Sequence, residues 1–434
     1  MLVFGIALIV YCFKPSWIMT LWLITVPLLA PIIVLKNLPA GDADAVYTFL
    51  NSIWGLFNRL FLLIIGYELL IKRHRIPTNV IGLFKVLLLL IVYLVIHNII
   101  THFDITILYQ NIVSVVYVLS PLFVFLLNKD SRPHLKHLYV AIIVVYIVQL
   151  IWIPLNQEGI FAYAARFEEI LENHDEAALM PGTFIRSNGM SDYVAITYLF
   201  ICIDFFYRRK LPLLLFVLTT LMVIGLLVAA GTRMPVVVTV FAFFSCLFLF
   251  SRGKKEAVLT LLIISIVFLC YMGNDSKDDN AGGDRIREGI TEFANSKTKK
   301  GSDESTVRLS SQLIEEYFWN SPIIGHGNFY KGEDKAYKIN DRISTLSLFR
   351  GDATFALYLV EFGVIGMILF LLYFYKVISY STFFFSPKDR HKIMFVVLFF
   401  MFLFSITEGG LFVTSNYTYL FGYTFGLKRY YDEL

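Results

Sequence analysis

The amino-acid sequence predicts an all-α polytopic membrane protein. Of its 434 residues, 57% are hydrophobic and only 16% are charged, whereas about a quarter of the residues in a soluble domain are charged. The mean hydropathy is +0.69. The apolar residues lie in runs long enough for a helix to cross a bilayer, which takes about 20 residues. The alternating strands that are typical of membrane barrels are not evident in the sequence.

The apolar runs predict about thirteen membrane spans. The first run is short, and if it pairs with the second as one hairpin the total falls to about twelve. In chain order the predicted spans are Leu2–Phe13, Trp17–Leu35, Thr48–Leu70, Val80–Ile100, Leu108–Leu127, Leu138–Pro154, Tyr193–Tyr207, Leu211–Ala230, Pro235–Phe250, Ala257–Met272, Ala353–Tyr375, Ile393–Thr407 and Leu411–Leu427.

Basic residues cluster on alternate connections between these spans, for example Lys72 to Arg75 and Arg208 to Lys210. The positive-inside rule assigns this set, and the C-terminus, to the cytoplasm. The chain is then one integral membrane domain, 1–434, with two long external loops at 155–192 and 273–352. Because the cytoplasmic connections are too short to form a domain, we expect any chemistry at the outer face.

Metal and disulfide chemistry are not expected from the sequence. No CxxC or HExxH spacing occurs, and each of the four cysteines lies inside an apolar run. We therefore expect neither a zinc site nor a disulfide framework, and no cofactor.

Arg233 is a candidate for function because charge at a membrane boundary is costly. In "AAGTRMPVV" it lies between two apolar spans, flanked by Gly231 and Pro235, which interrupt helices. A guanidinium at this outer boundary of the membrane can bind a phosphate through two parallel hydrogen bonds, because its donors are planar and fixed. The alternative is a side chain that only extends to the interface.

Three further polar segments face outward under this topology. In "GTFIRSNGMSDYVA", Arg186 and Asn188 form either a ligand shell or a simple turn, and Ser191 suits a helix N-cap. Arg308 lies on a predicted amphipathic helix in "STVRLSSQLIEEYFWNSP", where a solvated face is the alternative. His326 follows in the glycine-rich turn "IIGHGNFY" as a donor to a ligand or acceptor sugar, or as a solvated loop histidine.

Two carboxylates mark the next span, in "FRGDATFALYLVEFGVIGMILFLLYFY". Asp352 and Glu361 are nine residues apart, about 13 Å along a helix, so they do not form a local acid–base pair. Asp352 suits a helix cap that faces the outer cleft, where it can accept a proton from a sugar hydroxyl. Glu361 is expected to bond to neighbouring helices, with Arg59 as a partner, while Gly363 and Gly366 permit close helix contact.

The order of these motifs resembles the O-antigen polymerase and ligase superfamily. The resemblance rests on "RSNGMSDY", "GTRMP", "STVRLSSQLIEEYFWNSPIIGHGNF" and "DATFALYLVEFGVIG", and covers roughly Gly182 to Phe374. Ligases of this family usually carry a His-Asn pair where this chain has Asp352 and Ala353. This departure favours a polymerase over a ligase.

The resemblance implies an inverting, metal-independent, GT-C-like membrane glycosyltransferase of the inner (cytoplasmic) membrane, with its active site facing the periplasm. It implies undecaprenyl-pyrophosphate-linked glycan as donor and acceptor, contact with membrane lipid, a chain-length regulator protein as a partner, and no nucleic acid. A ligase that uses lipid A-core or another acceptor, and a lipid-linked oligosaccharide transporter, are the alternatives. The assigned residues are Arg233, Arg308 and Asp352 for catalysis, and Arg186, Asn188, His326 and Glu361 for substrate binding.

The predicted topology can be tested by labelling in intact cells. A cysteine introduced at Asn280, inside the long external loop, is expected to react with a membrane-impermeant maleimide, because the loop faces outward. Green fluorescent protein fused after Leu434 is expected to fluoresce, since the C-terminus is cytoplasmic. Protection of the loop cysteine until the membrane is permeabilised would contradict the assignment.

Overall fold

All regular structure in the described part of the chain is helical. The computed structural model describes residues 2–37, 59–76, 80–101, 105–157, 187–208, 211–230, 233–250, 314–315, 317–327, 354–382, 387–407 and 420–427. Five helices within these ranges are long and apolar enough to cross a membrane. The predicted all-α polytopic membrane class is therefore confirmed.

The helices are numbered α1 to α10 in chain order. They are α1 Leu2–Phe13, α2 Ile18–Asn37, α3 Ile81–Thr101, α4 Ile105–Leu127, α5 Leu135–Gln157, α6 Ser187–Ile203, α7 Leu213–Ala230, α8 Arg233–Phe250, α9 Thr354–Thr382 and α10 Pro387–Thr407. Residues 59–66 and 420–427 are also helical, and π-helical turns occupy Tyr67–Ile71 and Asp204–Arg208.

The predicted spans agree with these helices wherever both can be compared. The five long apolar helices are Ile81–Thr101, Lys129–Ile153, Gly189–Arg208, Leu213–Ala230 and Tyr358–Tyr380, and Asn111–Leu127 and Pro235–Phe250 are shorter apolar helices. The predicted span Ala257–Met272 lies outside the described residues, as do most of Leu411–Leu427 and the first part of Thr48–Leu70. The total number of spans thus stays a prediction.

The first of two compact units comprises Met1–Leu60, Asp130–Thr298 and Gly422–Leu434. In this unit α6 packs against both α7 and α8, and α5 packs against α2 and α7. Nearly every residue of α6 whose side chain is described is buried, so α6 is the central helix of the unit. This burial places its polar side chains inside protein rather than in lipid.

A buried ion pair lies where α6 widens into its π-helical turn. Arg208 Nη1 lies 2.5 Å from Asp204 Oδ1, and both side chains are almost fully buried. Opposite charges stabilise each other strongly in such a low-dielectric position, and removal of either one leaves the other uncompensated.

The second compact unit comprises Phe61–Lys129 and Lys299–Phe421. Here α9 packs against α3 and α10, and α3 packs against α4. Gly82 of α3 lies against the Tyr380 hydroxyl and Gly366 lies against Tyr93, so α3 and α9 run antiparallel. Close approach at Gly366 agrees with the prediction that a small residue permits helix contact there.

A second buried carboxylate, that of Glu68, lies in the π-helical turn Tyr67–Ile71 of this unit. Glu68 accepts a hydrogen bond from Asn128 Nδ2 at 3.0 Å and lies 2.8 Å from His74 Nδ1. Both π-helical turns therefore hold an acidic side chain inside the protein beside a group that can carry positive charge.

The Asp204–Arg208 pair can be tested by substitution. Arg208→Leu is expected to lower the free energy of unfolding by roughly 3–5 kcal/mol, because Asp204 is left buried without its partner. Thermal melting of the detergent-solubilised protein measures the change. The double variant Asp204→Leu/Arg208→Leu is the control and is expected to recover much of the loss; equal melting of the two variants would contradict this account.

Candidate functional site

Within the predicted long loop, 273–352, the structure describes residues 314–315 and 317–327. Residues Tyr317–Gly327 are called the docked turn. It begins with one 3-10 turn, Phe318–Asn320, and then closes on itself. Gly325 N–H donates to the Ser321 carbonyl at 2.9 Å, and Ser321 Oγ donates to the Gly325 carbonyl at 2.9 Å. His326 Nε2 donates to the Tyr317 carbonyl at 2.7 Å, so its ring ties the two ends of the turn together.

A break in α9 receives this turn. Gly363 has φ 64° and ψ −172°, a conformation that essentially only glycine adopts. The helix therefore stops after Phe362 and resumes at Val364. The prediction that Gly363 permits close contact with another helix is wrong, because its close neighbours are main-chain atoms of the docked turn and its positive φ interrupts α9.

The backbone groups opened by the break pair with the docked turn. The Val360 and Glu361 carbonyls accept from the N–H groups of His326 and Gly327, both at 3.0 Å. On the other side of the break, Val364 N–H donates to the Pro322 carbonyl at 2.9 Å, and Ile365 N–H donates to the Ile323 carbonyl at 3.3 Å. These bonds matter because backbone polar groups at membrane depth need partners within the protein.

Two glycines make this close approach possible. A side chain at Gly325, where φ is +83°, would collide with the Glu361 carbonyl, and one at Gly363 would collide with the Ile323 carbonyl. Each glycine thus makes room for the main chain of the other segment. The "GHG" and "EFG" parts of the two motifs are halves of one contact.

Apolar side chains of the turn pack against the part of α9 that precedes the break. Tyr317 and Phe318 are buried against Ala356 and Val360 in the first half of α9, with Leu359 packed at the edge. Burial of this aromatic area stabilises the contact by several kcal/mol at about 25 cal/mol per Å² of apolar surface.

Helix α3 holds both the turn and the break. Tyr93 Oη donates to the Phe362 carbonyl at 2.5 Å, and lies 3.4 Å from the Ile324 carbonyl. One helical turn further, the His97 ring is buried with its centroid 5.1 Å from that of Phe362, and it faces the carbonyls of Ile324 and Glu361. Neither residue was predicted from the sequence, although a buried polar pair near the end of an apolar span is a usable signal.

The structure brings together two of the predicted site residues, His326 and Glu361. The Glu361 side chain is buried, with 1% of its surface exposed, and its bonding to neighbouring helices stays a prediction. The described contact of His326 is structural, and its role toward an acceptor stays a prediction. The pairing of Glu361 with Arg59 also stays a prediction.

The other predicted residues are described in part or not at all. Arg233 is the first residue of α8 and Asn188 is the second residue of α6; both helices belong to the first unit. Arg186, Arg308 and Asp352 lie outside the described residues.

The prediction of Ser191 as an N-cap is wrong. The helix already includes Ser187, so Ser191 lies in its interior, and its side chain is buried. An N-cap hydroxyl must stand at the first turn to accept from free N–H groups.

The mutual glycine contact generates a stability prediction. Gly363→Ala and Gly325→Ala are each expected to lower the free energy of unfolding by at least about 2 kcal/mol, through backbone strain and collision. Gly66→Ala is the matched control, because a methyl group there meets no atom within 4 Å. Thermal melting of purified protein measures all three variants. Wild-type melting of Gly363→Ala would show that the break is not held by the turn.

Comparison with known proteins bears on the segment that contains this contact. No curated protein matches the chain. Residues 218–371, which include the docked turn and the break in α9, match the family model described as O-antigen ligase. This match confirms the resemblance to the O-antigen polymerase and ligase superfamily that the motifs predict.

Proposed function

We propose that this protein is a polysaccharide polymerase of the O-antigen type. It transfers a growing glycan from undecaprenyl pyrophosphate to a lipid-linked repeat unit at the outer face of the inner membrane. The coarser conclusion, a membrane glycosyltransferase-like enzyme of this superfamily, rests on the family match. The finer assignment rests on the arguments below.

The contact between the docked turn and α9 carries the proposal. Inside the second unit, the turn contacts α3 at Thr101, at the opposite end from Gly82 and Tyr380. The end with Tyr380 is the basic one, since Lys376 precedes it and Arg390 bonds to Ser379 there. The positive-inside rule favours the cytoplasm for the basic end, and hence the periplasm for the turn.

In this proposal the long loop is anchored at the periplasmic face, where lipid-linked glycan meets its acceptor. The docked turn holds the loop in place as far as Gly327, and α9 begins at Thr354. Asp352 lies two residues before that helix. In this proposal the rigid turn and helix hold the acceptor-binding part of the loop in position.

The proposed reaction exchanges one bond at the anomeric carbon for another. The acceptor hydroxyl attacks that carbon opposite the pyrophosphate, so the new sugar–oxygen bond forms as the bond to pyrophosphate breaks, with inversion. Asp352 accepts the proton of the hydroxyl. Arg233 and Arg308 stabilise the charge that develops on the leaving pyrophosphate, with Arg186 and Asn188 near the lipid diphosphate and His326 along the acceptor path.

A ligase is the second candidate, because the matched family model is described as O-antigen ligase. Both enzymes would use the same donor, and they differ in the acceptor: a lipid-linked repeat unit or lipid A-core. Asp352 and Ala353 in place of a His-Asn pair favour the polymerase.

A transporter fits the break in α9 less well. Broken helices in transporters expose backbone groups to a substrate or ion near the membrane midplane. Here the backbone groups on both sides of Gly363 bond to the docked turn, and Gly363 is only five residues inside the span Tyr358–Tyr380.

Surface glycan length in a gene-deletion strain tests the proposal. A polymerase deletion is expected to leave glycan of a single repeat, whereas a ligase deletion leaves long glycan that is not attached. Plasmid-borne Arg233→Ala or Asp352→Asn should then fail to restore long chains, with a loss of roughly 100-fold in extension if each group stabilises the transition state.

The matched control is Arg252→Ala, which removes an arginine from a connection predicted to be cytoplasmic. It is expected to restore wild-type glycan length. Immunoblots of membranes verify that all variants are present at equal levels. Full restoration by both Arg233→Ala and Asp352→Asn would refute these site assignments.

A further inference from the structure

The docked turn extends alongside the candidate membrane span of α9. Its Ile323 carbonyl bonds to Ile365, which is seven residues inside the span Tyr358–Tyr380. At 1.5 Å per residue the tip of the turn is about 10 Å below the outer end of that span. The chain then rises again, because His326 and Gly327 bond to Val360 and Glu361 and Gly327 reaches Thr101 at the end of α3.

Apolar side chains of the turn point away from the protein at this depth. Ile323 is 63% exposed and Ile324 is 38% exposed, while Trp319, four residues before Ile323 in the turn, is 69% exposed. A loop tip in water would be expected to carry small or polar residues.

The exposed surface beside the tip is apolar as well. In α3, Ile96, Ile99 and Ile100 are exposed, and in α9, Val364, Ile365 and Ile368 are exposed. These are the segments of the two helices nearest the turn. Exposed isoleucines on helices that are long and apolar enough to cross a membrane are suited to contact with acyl chains, and the exposed side chains of the tip lie beside them.

The backbone of the tip is suited to hydrocarbon. Pro322 has no N–H group, the carbonyls of Pro322 and Ile323 accept from α9, and Gly325 N–H donates to Ser321. Pairing of this kind is what allows non-helical backbone at membrane depth.

We propose that the docked turn is a re-entrant membrane segment. Ile323 and Ile324 lie among the acyl chains of the outer leaflet, and Trp319 lies at the boundary with the headgroups, where tryptophan is enriched. The partner of this surface is the bilayer itself. This inference does not depend on the proposed enzymatic function.

Fluorescence quenching in vesicles tests the proposal. The four native cysteines are replaced by serine or alanine, and Ile323→Cys is labelled with an environment-sensitive fluorophore. The full-length protein is reconstituted in phosphatidylcholine vesicles, with or without phosphatidylcholine that carries a nitroxide near the middle of its acyl chain. The matched control is Asn320→Cys, since Asn320 is exposed but lies on the shallow part of the turn.

The label at position 323 is expected to be quenched several-fold more by the nitroxide lipid than by aqueous iodide, and the label at position 320 is expected to show the opposite order. Ile324→Cys provides a second probe of the tip if Ile323→Cys does not elute as a monodisperse protein. Iodide quenching at the tip equal to that at position 320 would overturn the proposal, because the tip would then be in water. Protection from both quenchers would also overturn it, since other protein would then cover the tip.

Discussion

The pairing of backbone groups across the break in α9 is the constraint on which the second unit depends. A helix interrupted inside a membrane exposes carbonyl and N–H groups that lipid cannot satisfy. Here the docked turn supplies main-chain partners to Val360, Glu361, Val364 and Ile365. The turn in return is supported by the helix. Each segment therefore depends on the other to keep its backbone groups hydrogen-bonded in this conformation.

This mutual dependence explains why a loop segment is ordered against a membrane helix. The aromatic contact of Tyr317 and Phe318 with α9 and the hydroxyl of Tyr93 hold the same two segments together. Helix α3 thereby links the turn to the rest of the unit. In the proposed enzyme, such support would keep the loop near the leaving pyrophosphate.

Much of the fold could be predicted because the length of an apolar run is a local signal. Helices α3, α7 and α8 begin and end close to their predicted limits, and Gly366 makes the predicted close contact. The break at Gly363 could not be predicted in this way, because its cause is a partner some forty residues earlier in the chain. Tyr93 and His97 were missed although polar side chains near the end of an apolar span are a local signal; their contacts with the turn and the break are not readable from that signal. The roles of the arginines and of Asp352 stay predictions.

The four bonds between the turn and α9 also fix the register of the chain on both sides of Gly325. One added or deleted residue between Pro322 and Gly327 would shift each amide past its acceptor and leave polar groups facing acyl chains. The stretches before Tyr317 and after Gly327 carry no such requirement from these bonds. Insertions and deletions in this loop are therefore expected to be tolerated in its flanks, whereas the bonded core between Pro322 and Gly327 must keep its length.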